Sequence, residues 1–161
     1  MENTWYILGA GAIGHLLAYK LHKAGLPVCL LLRENGMQRE AFELVHADTE
    51  NSEKPPLPYK RVHELEPGEI ARLIVTTKAN QACDAFATIA SHLALNAHCL
   101  LLHNGMGVYE RLLERYPQQS IALGATTEAA FWRDTNALVY AGRGKTHIGH
   151  PGTKKPLQWT R

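Results

Sequence analysis

Trp5-Tyr6-Ile7-Leu8-Gly9-Ala10-Gly11-Ala12-Ile13-Gly14 is the stretch that decides the fold. Residues 4–8 form a short apolar run that stops at Gly9, as a buried strand does. From Ala12 the apolar period lengthens, and Ile13, Leu16, Leu17, Leu21 and Ala24 fall on one helical face. Gly25 is placed to end that helix, with Pro27 just beyond it. Residues 28–32 are a second continuous apolar run, long enough for a strand and too short for a helix. Strand, helix and strand in about thirty residues make a βαβ unit, with the two strands parallel and covered on both faces.

Each glycine of the stretch has its own task in that setting. Gly9 permits the tight turn off the strand, Gly11 lets the backbone approach a pyrophosphate, and Gly14 lets the helix pack closely on the sheet. The N–H groups at the helix start, helped by the helix dipole, form an anion site. Glycine-rich turns are common. The strand before and the helix after make this G-x-G-x-x-G a dinucleotide fingerprint, with Ala10, Ala12 and Ile13 as its intervening positions. The second strand runs into Arg33, nineteen residues after Gly14. NAD-binding chains carry an acid there for the ribose 2′-hydroxyl, whereas a guanidinium suits a 2′-phosphate. Glu34 serves the NAD role if the strand ends one residue later. Both readings stand at this point, with Arg33 and NADP(H) favoured.

The rest of the chain extends the same pattern. Residues 34–59 are mixed and polar, and Pro55-Pro56-Leu57-Pro58 reads as a loop between short strands at 42–46 and 59–62 rather than as a polyproline ligand. A strand is expected at 72–77, then a helix with Cys83, Phe86, Ala87, Ala90, Leu93 and Ala94 on one face. A strand at 98–102, a helix at 108–116 and a strand at 121–125 follow. Residues 138–141 and 146–148 read as short strands joined by glycine-rich turns. The expected architecture is α/β, a Rossmann-type doubly wound and mainly parallel sheet with a short antiparallel appendage. Lys78 falls at the carboxyl end of its strand, where open α/β sheets bind ligands, and a merely solvated lysine is the other reading. Asn104-Gly105 holds the equivalent place after the next strand and is also an ordinary turn sequence.

Composition narrows the function classes. The chain has 161 residues, 45% hydrophobic and 20% charged, which excludes disordered and low-complexity classes and fits one domain. No apolar run approaches the roughly 18 residues of a membrane-spanning helix. Glu2 stands where a secretory leader is basic, so a cytoplasmic protein is expected. Cys29, Cys83 and Cys99 are far apart and odd in number, so buried free thiols are expected rather than a disulfide framework. Net charge is +2, but residues 135–161 hold five basic side chains and no acidic one. Without interleaved aromatics or a nucleic-acid motif, that end reads as a solvated basic tail. His147-Ile148-Gly149-His150 has an H-x-x-H spacing, but no helix pattern puts both rings on one face and no metal is expected. G-x-S-x-G is absent, which argues against covalent hydrolysis.

Taken together, these residues resemble the ketopantoate reductase (2-dehydropantoate 2-reductase) family. The resemblance is carried by residues 9–14, Arg33, Val75-Thr76-Thr77-Lys78-Ala79 and Leu101-Leu102-His103-Asn104-Gly105-Met106-Gly107. It continues through Gly124-Ala125-Thr126-Thr127, residues 142–144 and Thr146-His147-Ile148-Gly149, reaching about residue 150. It implies NADPH-dependent reduction of 2-dehydropantoate to pantoate, on the way to pantothenate and coenzyme A, with a small 2-keto acid as the partner. It further implies a phosphate loop at residues 9–14, a 2′-phosphate arginine at Arg33 and a cofactor-contacting lysine at Lys78. Asn104 would lie beside the nicotinamide ribose, and Ala130 would make a later main-chain contact. Residues 1–150 are then the NADP-binding domain and 151–161 a basic tail. In the family a helical carboxyl-terminal domain supplies the catalytic lysine, which gives a proton to the carbonyl oxygen, and further substrate-binding groups. None of that motif surrounds Lys154 or Lys155, so the 161 residues are expected to bind NADPH but to turn over poorly alone.

Overall fold

The glycine turn is flanked as the sequence predicts, by β1 (Trp5–Leu8) and α1 (Ala12–Lys23), with β2 (Val28–Leu32) next. The computed structural model describes residues 4–34, 42–49, 51–103 and 105–151. After β2 come β3 (Glu43–His46), β4 (Ser52–Glu53), β5 (Tyr59–Arg61), β6 (Ile70–Val75), α2 (Ala79–Ile89) and β7 (Leu93–Leu102). Then follow α3 (Val108–Arg115), β8 (Ser120–Thr126), β9 (Ala129–Trp132), β10 (Ala137–Gly142) and β11 (Thr146–Gly149).

The larger sheet runs β11-β8-β7-β6-β1-β2-β5. All its neighbours pair in parallel except β11, which lies antiparallel to β8. Without β11 this is the doubly wound order in which the first strand is central and the connections reverse direction beside it. That reversal lies between β1 and β6, where a crevice opens at the carboxyl ends. Register completes the placement. Leu8 pairs with Leu31 on one side and with Val75 on the other, so β1, β2 and β6 end nearly level. Gly9, Arg33 and the residues after Val75 therefore leave the sheet along one edge.

Both faces of the sheet are covered. Tyr6, Leu8, Leu73 and Val75 face α2 and α3, packing with Phe86 and Leu112. Ile7, Leu30, Ile74 and Leu100 face the other way, against α1 and a second sheet of order β4-β3-β10-β9. Each fully buried Leu, Ile or Phe contributes about 1.5–3 kcal/mol, so the two clusters hold the rim in place. Cys29 and Cys99 are buried free thiols, and Cys83 is half-buried and also free.

Four details depart from the sequence reading. First, the buried arc of α1 comprises Gly14, His15, Leu16, Ala18 and Tyr19, while Leu17 and Leu21 are half-buried and Ala24 is exposed. The helix lies between two sheets, so a single apolar stripe does not describe it. Second, α2 stops at Ile89, a 3-10 turn spans Ala90–His92, and Leu93 and Ala94 open β7. Leu93 pairs with Ile70, and that strand contact prevails over the helical period. Third, β6 starts at Ile70 and ends at Val75, which frees Thr76 and Thr77 for the rim. Fourth, β10 and β11 do not join one appendage. β10 lies between β3 and β9 in the smaller sheet, whereas β11 extends the larger one. Pro151 apart, the basic tail lies outside the described residues. Among those described, no helix is long and apolar enough to cross a membrane.

Candidate dinucleotide site

The carboxyl edge of β1, β2 and β6 borders a cavity of about 940 Å³. Its floor is the turn Gly9, Ala10, Gly11, Ala12 and Ile13. Arg33 and Glu34 close one side, and Thr76, Thr77 and Lys78 with the first turns of α2 close another. The volume sits at the upper end of the range for small-molecule sites, about 300–1,000 Å³.

Close approach explains the glycine spacing. A Cβ on Gly14 would lie 2.0 Å from the Gly9 carbonyl oxygen, so only glycine lets the first helical turn sit on the end of β1. Gly9 has φ +119°, and its carbonyl accepts a hydrogen bond of 2.8 Å from the Thr76 hydroxyl. A Cβ on Gly11, by contrast, would meet nothing within 4 Å. The turn is tight beneath and open above.

That open side fits an anion. Gly11 is the N-cap of α1 and offers no side-chain cap, and no acidic residue lies in the first turn. The first N–H groups of a helix have no intrahelical partner, and the dipole adds positive potential there. α2 repeats the arrangement, with Lys78 as an N-cap that makes no side-chain cap and no acid in the first turn. The exposed Lys78 ammonium makes no hydrogen bond or ion pair among the described residues.

At the other end of the cavity, Arg33 is exposed and its Nη2 donates to Gln81 Oε1 at 3.1 Å. Arg61 on β5 donates from Nη1 to the carbonyls of Arg33 and Glu34, at 3.0 and 2.6 Å, and so fixes the backbone of both. The Glu34 carboxylate pairs with His63 Nδ1 at 2.8 Å. The guanidinium thus stands at the cavity wall while the neighbouring carboxylate is held by the His63 ring.

The predicted residues are not all brought together. Gly9 to Ile13, Arg33 and Lys78 share the cavity, with Gly14 directly beneath. Asn104 lies outside the described residues. Gly105 beside it approaches the start of α2 so closely that a Cβ there would lie 2.1 Å from the Ala79 Cβ. Ala130 sits half-buried on β9, paired with Tyr140, and does not line the cavity. Sequence reasoning assigned no separate part to Thr76, Gln81, Arg61 or His63. For the last two no local signal exists, because β5 reaches β2 only through sheet pairing. Among the described residues, no three His, Cys, Asp or Glu side chains are grouped to hold a metal ion.

Known proteins match both sequence and shape. The family model described as ketopantoate reductase PanE/ApbA matches residues 5–152. The 2-dehydropantoate 2-reductase of Salmonella typhi is 36% identical over 146 residues, covering 89% of this chain and 45% of that protein. A probable 2-dehydropantoate 2-reductase of Schizosaccharomyces pombe is 32% identical over 164 residues, covering 92% and 47%. Among solved structures, 2-dehydropantoate 2-reductase from Geobacter metallireducens has a TM-score of 0.78 at 20% identity, covering 95% of this chain and 51% of that one. A ternary structure of D-mandelate dehydrogenase with NADH and anilino(oxo)acetate has a TM-score of 0.75 at 24% identity, covering 90% and 47%. These two structures speak to the fold. The chain spans about half the length of the curated relatives it matches.

Proposed function

We propose, from the premise that this chain belongs to the ketopantoate reductase family, that its residues form the NADP(H)-binding half of an oxidoreductase acting on a small 2-keto acid. The substrate is 2-dehydropantoate, as the names of the relatives suggest. One observation carries the cofactor reading: an uncapped glycine turn, Arg33 and Lys78 border one cavity, while the Glu34 carboxylate is paired with His63.

When bound, the nicotinamide supplies the hydride; the protein supplies binding, orientation and electrostatics. The amides of the glycine turn and of the α1 start hold the diphosphate. Arg33 presents a planar fork to the 2′-phosphate, a geometry that an ammonium cannot reproduce. Lys78 adds a positive charge on the β6 side of the cavity. Asn104 takes the ribose contact that the family resemblance assigns it; Ala130, on β9 and away from the cavity lining, is given no part. The Glu34 pairing supports NADP(H) over NAD(H), because a carboxylate held by His63 is less free to take a ribose 2′-hydroxyl. These 161 residues bind the cofactor and turn over poorly alone, and residues 1–150 act as the binding domain of a cytoplasmic enzyme.

Calorimetric titration of the purified chain with NADPH, and with NADH as control, tests the proposal. Saturable binding that prefers NADPH by tenfold or more is expected. Equal affinity for both removes Arg33 from the 2′-phosphate site, and vigorous ketopantoate-dependent NADPH oxidation by the 161 residues contradicts the half-enzyme reading.

A further inference from the structure

His15 lies on α1 directly under the glycine turn and is 1% exposed. Its Nδ1 is 3.0 Å from the Gly11 carbonyl oxygen, and its Nε2 is 3.1 Å from the Tyr59 hydroxyl. A carbonyl can only accept, so Nδ1 carries the proton; Nε2 of the neutral ring then accepts from Tyr59. The imidazole packs edge-on against Phe42 and Trp132, with ring centroids 5.2 and 4.9 Å away. One buried ring therefore joins the glycine turn, β5 and the smaller sheet.

The Gly11 carbonyl also accepts the His15 main-chain N–H at 3.0 Å. Main chain and side chain of one residue thus hold the same peptide group. In a trans peptide the C=O and the following N–H point in opposite directions. With the Gly11 carbonyl drawn into the helix, the Ala12 N–H is directed away from it, at the end that borders the cavity. We infer that His15 is a positioning residue for dinucleotide binding: its Nδ1–H fixes the 11–12 peptide so that the Ala12 amide faces the diphosphate, and Tyr59 holds the other side of the ring through Nε2. The inference rests on the dinucleotide reading of the cavity.

Three variants separate this role from simple packing. H15F keeps a buried ring without nitrogens. H15N loses the ring but puts a carboxamide nitrogen where Nδ1 stood. Y59F removes only the hydroxyl that meets Nε2. NADPH dissociation constants and melting temperatures are measured together. A single net hydrogen bond is worth about 0.5–1.5 kcal/mol, so H15F binds roughly three- to tenfold more weakly. H15N melts lower than H15F because the ring space is left empty, yet its affinity stays within about threefold of the wild type. Y59F loses less affinity than H15F. This crossing of stability and affinity is the expected result. Folded H15F binding NADPH as well as the wild type overturns the inference, as does affinity that merely tracks melting temperature across the set. A wild-type chain that binds neither NADPH nor NADH removes the cavity reading itself, and the inference with it, before any variant is measured.

Discussion

The two ends of the larger sheet treat their polar groups in opposite ways. Before β6, the Glu69 carboxylate is 5% exposed and accepts from Tyr6, from Lys60 at 2.7 Å and from the Glu66 amide at 2.9 Å. The seam between α1 and the smaller sheet is similar: Glu128 binds Lys20 and accepts from the Tyr140 hydroxyl at 2.6 Å. At the carboxyl edge the pattern reverses. Two helix starts lack side-chain caps, the Arg33 guanidinium donates to Gln81 at 3.1 Å, and Lys78 is exposed. Folded chains satisfy their buried polar groups internally, whereas polar groups exposed around an open cavity are left to water or to a ligand. The first arrangement serves stability, and the second is where we propose that a ligand binds.

The sharpest way to break this contrast is at the turn that links the two. Gly14→Val places a Cβ against the Gly9 carbonyl and is expected to cost more than about 3 kcal/mol, seen as a large fall in melting temperature and loss of NADPH binding. Gly11→Ala enters open space, so stability stays within about 1 kcal/mol of the wild type while NADPH binding weakens. If both glycines behave alike, the turn has no open side.

Glu69 tests the opposite end. Burial alone would raise its carboxyl pKa. Hydrogen bonds from the Glu66 amide, Lys60 and Tyr6 outweigh that and hold it down at about 2, against an ordinary 4.5. A depressed carboxyl stabilises the fold above its ordinary range, and that contribution is lost as pH falls from about 4.5 towards 2. Glu69→Gln should cost about 1–3 kcal/mol at neutral pH. It should also flatten the acid limb of a stability–pH curve in that window, with NADPH affinity unchanged.

The next effects belong to the rim alone. Arg33→Ala is expected to weaken NADPH binding about tenfold or more and NADH binding only slightly, with no change in melting temperature. Lys78→Ala gives the smallest effect, about threefold on either nucleotide, since it removes one exposed charge.

How much of this was legible in the sequence depended on how local the cause was. The limits of β2, the start of α1, the fingerprint and the strand-end Arg33 follow from short-range pattern, and the structure has all of them. The boundary between α2 and β7 was missed because Leu93 and Ala94 fit a helical period, and only pairing with β6 makes Leu93 a strand residue. The short strands β4 and β9 pair with near neighbours in sequence, β3 and β10, but two and four residues give too little period to read as strands. His15 carried a weak local signal, a polar ring inside an apolar helix just after the fingerprint. Its meaning depends on Tyr59, Phe42 and Trp132, which no local window contains.

The central claim is that one edge of the sheet binds a dinucleotide while the other polar clusters only hold the fold. Amide chemical shifts of the isotopically labelled chain, followed during an NADPH titration, test it most directly. The account predicts saturable shifts at Ala10, Gly11, Ala12 and Ile13, with smaller ones at Arg33 and Lys78, and none at Tyr6, Glu69 or Glu128. Saturable binding that leaves the glycine turn unmoved, or that moves the Glu69 and Glu128 clusters instead, would contradict it.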